Sequence, residues 1–496
     1  MAMITTHVLP GNANYTSNRY PVIKAFELAI PYVYQDKAKG TNSGYATIGV
    51  GFLVSANAEG ILEGIDPDLR TNLGLSVDGY DNLVTAIENA TNNVLFTSDA
   101  AAQTAIQDAI NGVLASAANY EIPNPEPSFT MQYSSDPATA DSQMHATFDL
   151  IVDRQGGYEN QVDQWLNGDP ANSTSAIPDS RERLALLSLA YNGLIGFEKN
   201  AQGIPKQYSN GTYILKSPSL RQAMLNGDRA EAWYEIRYNS NLDGKNYLKS
   251  GIAPGNNIDK GIAKRRYAES EIFGLFDNAD SVGDADAKGA YRAYTRHREY
   301  IDKYEAAYGV GGTRGDQIAE ANNYGITFNG TALDVSGLQA ELTDAYDYLT
   351  KTYITDKGIG ITVDWQNILV GEDNGSNGTT DTRYYRSTDI DVLTSSDNSD
   401  LIFGDSGNDV IQGGLGTDVL YGGSGVDIYK YRPGDGADVT VDYAGGPNAT
   451  FGDGKGAILY DPEGTPQFSP SAPDKPKATA ATPAPGKAWI KPSPTP

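Results

Sequence analysis

Apolar and polar positions follow distinct periods along the chain. Residues 44–54, GYATIGVGFLV, alternate small and β-branched side chains and predict a strand. Apolar residues at helical spacing predict helices over AAQTAIQDAINGVLASAA (101–118), RERLALLSLAYNGLIGF (181–197), SLRQAMLNGDRAEAWYEIRY (219–238) and GIAKRRYAESEIFGLF (261–276). Gly227 predicts a turn inside the third of these, and Glu269 and Glu271 are expected on the surface of the fourth. Two more amphipathic helices, each with a tyrosine-rich face, are predicted over 291–309 and 336–354. Residues 1–20 show no period and read as an irregular extension, and NGSNGTTDT (374–382) reads as a loop. The stretch 461–496, rich in Pro, Ala, Lys and Ser, reads as an extended, poorly ordered tail. The expected layout is therefore an extension (1–20), a mixed α+β unit, mainly helical with a small sheet (21–278), and a helical accessory region with a linker (279–385).

From 386 to 460 another period takes over. Residues 404–430 read GDSGNDVIQ, GGLGTDVLY, GGSGVDIYK, three nonapeptides of the form GGxGxDxUx with one Asp in place of a Gly. Asp391, Asp400, Asp409, Asp418 and Asp427 are nine apart, and an apolar residue follows each two positions later: Leu393, Ile402, Ile411, Leu420 and Tyr429. Glycine permits the tight turns and leaves carbonyl oxygens open, so Gly404, Gly407, Gly413, Gly416, Gly422 and Gly425 join the aspartates as candidate ligands of a hard cation. The block resembles the RTX repeats of proteins exported by type I secretion, and YRPGDGADVTVDY (431–443) resembles the segment that closes such repeats. The resemblance implies a parallel β-roll with calcium as cofactor, bound outside the cell. It also implies export by a type I apparatus without a signal peptide.

Composition narrows the chemistry. The 496 residues exceed one ordinary core. There is no cysteine, hence no disulfide, thiolate metal site or cysteine nucleophile. The histidines, His7, His145 and His297, are far apart and in no HExxH spacing, which argues against a zinc hydrolase. A net charge of −26 argues against nucleic acid as partner. No apolar run approaches the roughly 18 residues of a membrane span, and the first residues lack the basic and apolar regions of a Sec signal. Charge is uneven: 386–460 holds 12 acidic against 4 basic residues, whereas 197–267 holds 12 basic against 6 acidic. The second stretch is therefore expected to present a basic surface.

AFELAIPYVYQDKAKG (25–40) sets Glu27 and Asp36 nine residues apart around apolar and aromatic side chains. Cleaving a glycosidic bond needs a proton donor at the leaving oxygen and a second carboxylate near the sugar ring. A separation of about 6.5–9.5 Å leaves room for the attacking water of an inverting reaction. Partial desolvation favours the neutral form of a carboxyl, as a donor requires. Glu27 among Phe26, Leu28 and Ile30 fits the donor, Asp36 in a polar turn fits the base or cation stabiliser, and Thr47 fits the group that orients water.

These residues, Gly40 and TIGVG (47–51) resemble phage-type lysozymes, the muramidases of glycoside hydrolase family 24. Leu28 stands where that family usually has Gly, and Phe52 where it often has His. The likeness continues in ATFDLIVDRQGGYENQVDQWL (146–166), RLALLSLAYNGLIGF (183–197), SPSLRQAMLNGDRAEAWYEI (217–236) and GIAKRRYAESEIF (261–273). It implies a lysozyme-like catalytic domain over 21–278 with an insertion around 60–145. Tyr191 and Asn192 would line the cleft, and Arg265 and Arg266 would close over Glu27. The expected function is a secreted muramidase that hydrolyses the MurNAc–GlcNAc bonds of bacterial peptidoglycan, stabilised by calcium, with antibacterial attack as one use. The alternative is a non-catalytic wall-binding or adhesive RTX protein on the same scaffold.

Overall fold

The computed structural model describes residues 3–7, 12–27, 29–37, 42–121, 128–239, 258–277, 281–328, 330–371, 392–394, 398–405, 409–423, 427–441, 457–460 and 489–490. The chain forms two compact units: Val8–Pro218 with Asn322–Asp334, and Met1–His7 with Ser219–Ala321 and Val335–Pro496. The boundary expected at 278/279 is thus not where the chain divides. Residues 219–277 share a unit with the repeats, because they pack on the helices that follow them.

The first unit opens with α1 (Asn12–Phe26), which begins inside the expected irregular extension. Its sequence is polar, carries Pro21, and shows no apolar stripe. Charge holds it instead. Arg19, nearly buried, reaches Asp149 at 3.1 Å, Asp153 at 2.5 Å and Glu159 at 3.3 Å. The Tyr20 hydroxyl and Lys24 ammonium both donate to Asp141, at 2.7 and 2.6 Å. Val22 and Ile23 anchor its inner side in the core.

An antiparallel sheet follows, in the order β1 (Ile30–Lys37), β2 (Gly44–Gly49), β3 (Phe52–Leu53). Tyr34 faces Thr47 and Asp36 faces Tyr45 across the first pair. Side chains alternate along a strand, so Val33, Ala46 and Ile48 enter the core while Tyr34, Asp36, Tyr45 and Thr47 share the opposite face. The strand expected over 44–54 is broken because Gly49 and Gly51 take positive φ, and α2 (Val54–Ile65) starts directly after β3.

With α3 (Val77–Thr91), α4 (Asp99–Leu114) and α5 (Pro137–Asp153), α2 covers the core through Ile61, Leu83, Ile87, Ile110 and Phe148. The stretch expected as an insertion therefore builds the wall behind the sheet. Asp99 accepts the Gln35 backbone N–H at 2.8 Å, and the Gln103 amide donates to the Val33 carbonyl at 2.7 Å. Next come α6 (Tyr158–Asn167) and α7 (Arg181–Tyr191). α7 stops six residues short of its expected end because Gly193 takes φ +68.

The second unit contains α8 (Pro218–Asn226) and α9 (Arg229–Tyr234), parted at Gly227 as expected. It continues with α10 (Ile258–Phe273), α11 (Asp284–Tyr308) and α12 (Thr343–Thr350). Glu269, expected on a surface, is fully buried and pairs within α10 with Arg265 at 3.1 Å and Arg266 at 2.6 Å. Arg237, also fully buried, lies over the Tyr267 and Trp233 rings and pairs with Glu341 at 3.4 Å.

The unit ends in two sheets of parallel strands. One contains β4 (Ile368–Val370), β6 (Leu401–Phe403), β8 (Val419–Tyr421) and β10 (Val439–Val441). The other contains β5 (Val392–Thr394), β7 (Val410–Gln412), β9 (Ile428–Tyr431) and β11 (Ala457–Tyr460). Successive strands alternate between sheets, so nine residues make half a turn; this is the parallel-stranded architecture expected of the repeats. Ile402, Ile411, Leu420 and Tyr429 fill the interior with Tyr431.

Two strands lie outside the expected 386–460 block. β4 comes from the region read as accessory segment and linker, and β12 (Trp489–Ile490), from the expected disordered tail, lies antiparallel on β10. α11 forms the base of the roll: Lys288 and Arg292 pair with Asp405, and Thr295 accepts the Val370 N–H. The described residues are thus mainly helical, with small sheets and a parallel-stranded C-terminal region. Among them no helix is long and apolar enough to cross a membrane.

Candidate functional site

The repeat ladder is built by backbone stacking. The Asp400 N–H donates to Asp418 Oδ1 and the Asp409 N–H to Asp427 Oδ1, both at 2.9 Å, one full turn apart. All four carboxylates are fully buried. The glycines are dictated by how closely these groups approach. A Cβ on Gly413 would stand 2.1 Å from Asp418 Oδ2, and one on Gly422 would stand 2.2 Å from Asp427 Oδ2. On Gly404 it would meet both Asp409 Oδ2 at 2.4 Å and the Gly422 carbonyl oxygen at 2.5 Å. The Gly416 carbonyl likewise projects at the next turn, against Gly436. Asp391, Gly407 and Gly425, also candidate ligands, lie outside the described residues.

This arrangement is costly without a cation. Burial, with Asp438 and Asp400 nearby, pushes the Asp418 carboxyl up to about 8, against the Asp400 N–H that holds it down. Asp418 Oδ2 is buried without a hydrogen-bond partner. Carboxylate and carbonyl oxygens brought together in this way are the hard donor set that calcium takes. Asp409, Asp418 and Asp427, with the glycine carbonyls, would hold the ion, and its charge offsets the penalty of burying them. Among the described residues no three His or carboxylate side chains converge by themselves, so main-chain oxygens are needed to complete such a site.

Sequence spacing missed Asp438. It is buried and accepts the Asp418 N–H at 3.2 Å, continuing the ladder after a step of twenty. The signal was present in DVTV, the Asp-then-apolar pattern ahead of β10, but a turn at Arg432–Asp435 shifts its phase.

The second candidate site lies in the first unit. Glu27 sits one residue beyond α1, its N–H bonded to the Ile23 carbonyl, and so caps the helix instead of lying within it. Asp36, expected in a turn, is an exposed residue of β1. Thr47 is buried on β2, and its hydroxyl donates to the Tyr45 carbonyl at 3.2 Å. Asp36 and Thr47 are diagonal neighbours on one face of the sheet, a relation that places such residues about 7–8 Å apart. Tyr34 lies between them on that face. Burial raises its hydroxyl well above the usual range, and the charges of Asp36 and then Glu27 add to this, so both carboxylates act on one ring.

Gly51 brings Glu27 and Tyr191 together. Glu27 Oε2 and the Tyr191 hydroxyl oxygen lie 3.8 and 3.9 Å from where its Cβ would be. At φ +93 the position favours glycine. Tyr191 donates to the Val50 carbonyl at 2.7 Å and packs on Tyr158, whose hydroxyl is raised by burial and also by Glu27. Asn192 caps α7 and is exposed.

Arg265 and Arg266 belong to the other unit, where Glu269 is their partner. The basic surface expected over 197–267 also shrinks, because Arg229, Arg237, Arg265 and Arg266 are buried. Tyr34 and Tyr158 were not singled out by the sequence. The alternation of Tyr34 with Asp36 along β1 was the available signal.

Residues 394–429 match the family of the RTX calcium-binding nonapeptide repeat (4 copies). These repeats bind calcium. No curated protein and no solved structure matches the chain.

Proposed function

We propose that the protein is a secreted, calcium-stabilised muramidase that hydrolyses the MurNAc–GlcNAc bond of peptidoglycan. The observation that carries this reading is the placement of Glu27 at the end of α1, against Gly51 and Tyr191, ahead of a hairpin that sets Asp36 and Thr47 on one face. In this reading Glu27 protonates the leaving oxygen. Asp36 deprotonates the attacking water or stabilises the developing cation, and Thr47 fixes that water. The repeats support a type I export route, in which the chain leaves the cell unfolded and gains its roll where calcium is plentiful. Antibacterial attack on a competitor's wall is one use of such an enzyme.

The test is release of reducing ends from purified sacculi by the full chain in calcium. Glu27→Gln is expected to lower the rate by at least about 100-fold, the range of general acid catalysis. Sacculus binding is expected to persist. Equal rates for the variant and the parent would remove Glu27 from the acid role. Binding to sacculi with no release by the parent would leave the non-catalytic wall-binding reading.

A further inference from the structure

A cleft of about 660 Å³ opens in the unit that carries the roll. It has three walls: α12 with the short helix Leu338–Glu341 before it, the loop that enters β4, and the residues just before Asp400 of the repeats. Its volume is that of a site for a small ligand. Among the described residues the lining is polar, with the aromatic Tyr346 and Trp365 and the aliphatic Val363. Trp365 is half-buried and stacks one face on Tyr294, at a ring separation of 5.8 Å, which fixes its plane. The Tyr346 hydroxyl is committed to the Val363 carbonyl at 2.8 Å, which leaves its ring as the contact surface. Asp347 and Asp364 are exposed acceptors, while Asn367 and Asn398 add amides that both donate and accept. Among the described residues no Lys, Arg or His lines the cleft.

That chemistry selects a ligand class. An anionic ligand would meet two carboxylates and no cation. An apolar ligand would leave the carboxylates and amides desolvated without partners. A neutral ring with hydroxyls on its rim and C–H groups on its face satisfies both kinds of wall. We propose that this cleft binds a neutral saccharide and that calcium controls it. The coupling is built into Asn398. It lines the cleft, and its carbonyl oxygen lies 2.4 Å from where a Cβ on Gly416, one turn on, would stand. Two residues later the Asp400 N–H is held by Asp418. Loading the ladder thus sets one wall of the cleft, and by linkage a bound saccharide tightens calcium binding. The proposal does not depend on the muramidase reading.

Calorimetric titration of the full chain tests it, with cellohexaose, chitohexaose and mannohexaose as neutral probes and oligogalacturonate as the anionic one. At least one neutral probe is expected to bind in saturating calcium, at least tenfold more weakly in chelator, and the anionic probe is expected not to bind. Trp365→Ala and Asp347→Asn are each expected to weaken that binding at least tenfold. Asp347 is exposed and its replacement isosteric, so this variant decides the matter even if Trp365→Ala fails to fold. No binding of any neutral probe, binding that survives Asp347→Asn, or affinity unchanged by chelation would each overturn the proposal.

Discussion

Asp405 departs from the repeat by standing where the pattern asks for glycine, and its surroundings explain why. It holds φ +68, a conformation that costs a residue with a Cβ roughly 1–2 kcal/mol. In return its carboxylate takes Lys288 at 2.8 Å and also Arg292, with all three side chains largely buried. Charge-assisted bonds of this kind contribute about 1.5–3 kcal/mol each. The ion pairs outweigh the strain, so Asp405→Gly is expected to destabilise the protein by about 1–5 kcal/mol although it restores the repeat. Denaturant midpoints in saturating calcium check this, and a more stable variant would mean that the pairs contribute nothing.

Glu341 gives a pH dependence. Burial raises its carboxyl well above the ordinary 4.5, and Glu271, close enough to share a hydrogen bond, adds to that, while Arg237 opposes it. The folded protein keeps this proton over a range where the unfolded chain has lost it, so stability falls as pH rises there. The contribution is complete below 4.5 and disappears as pH climbs through the folded value. Glu341→Gln mimics the protonated side chain. It is expected to lose less stability than the parent as pH rises above 4.5, as read by urea midpoints. Parallel profiles would assign the slope to other groups.

At the scale of elements, legibility followed periodicity. The nonapeptides announced their strands because Asp and apolar residues repeat in fixed phase, and Gly227 announced the break between α8 and α9. α1 was not readable to its start, since ion pairs with residues 117–140 positions away stabilise it instead of an apolar stripe. β4 was missed because Ile368–Val370 carries no glycine or aspartate signature, and only its pairing with β6 places it in the roll. Of the candidate carboxylate site, Glu27, Asp36 and Thr47 stand out in the sequence as a motif. Gly51 as the meeting point of Glu27 and Tyr191 was not, because helix and sheet contact depends on tertiary packing.

Asp438 is the sharpest case. If the ladder ended where the nine-residue phase ends, Asp438→Ala would leave calcium binding unchanged. The structure gives this carboxylate the Asp418 N–H, and orphaning a buried N–H costs about 1–3 kcal/mol. The calcium midpoint for folding of the roll, followed by circular dichroism, is therefore expected to rise roughly tenfold in the variant, since 1.4 kcal/mol is tenfold. An unmoved midpoint would end the ladder at Asp427.

For the whole molecule, the division into units decides what calcium supports. The Val8–Pro218 unit has its own apolar core, from Tyr20 through Phe148 to Leu187, and needs no ion to bury it. Among the described residues the roll's interior cluster is small, Ile402, Ile411, Leu420, Tyr429 and Tyr431 with Leu369 packed against them, and it is set against the repulsion of the buried aspartates. When calcium is removed, the Asp405 pairs and the Tyr421 hydroxyl bond to the Tyr353 carbonyl lose their platform. The loss then reaches α11 and the segment after α12, which a boundary at 385/386 would have placed in a separate domain.

Hydrogen exchange of the full chain in calcium and in chelator resolves this. Amides of 401–441 are expected to lose protection fully on chelation. Those of α11 are expected to lose it in part, and those of 44–218 are expected to keep it. Unchanged protection in α11 would mean that the helices stand without the roll. Lost protection across 44–218 would mean that the ion stabilises the chain as a single cooperative body.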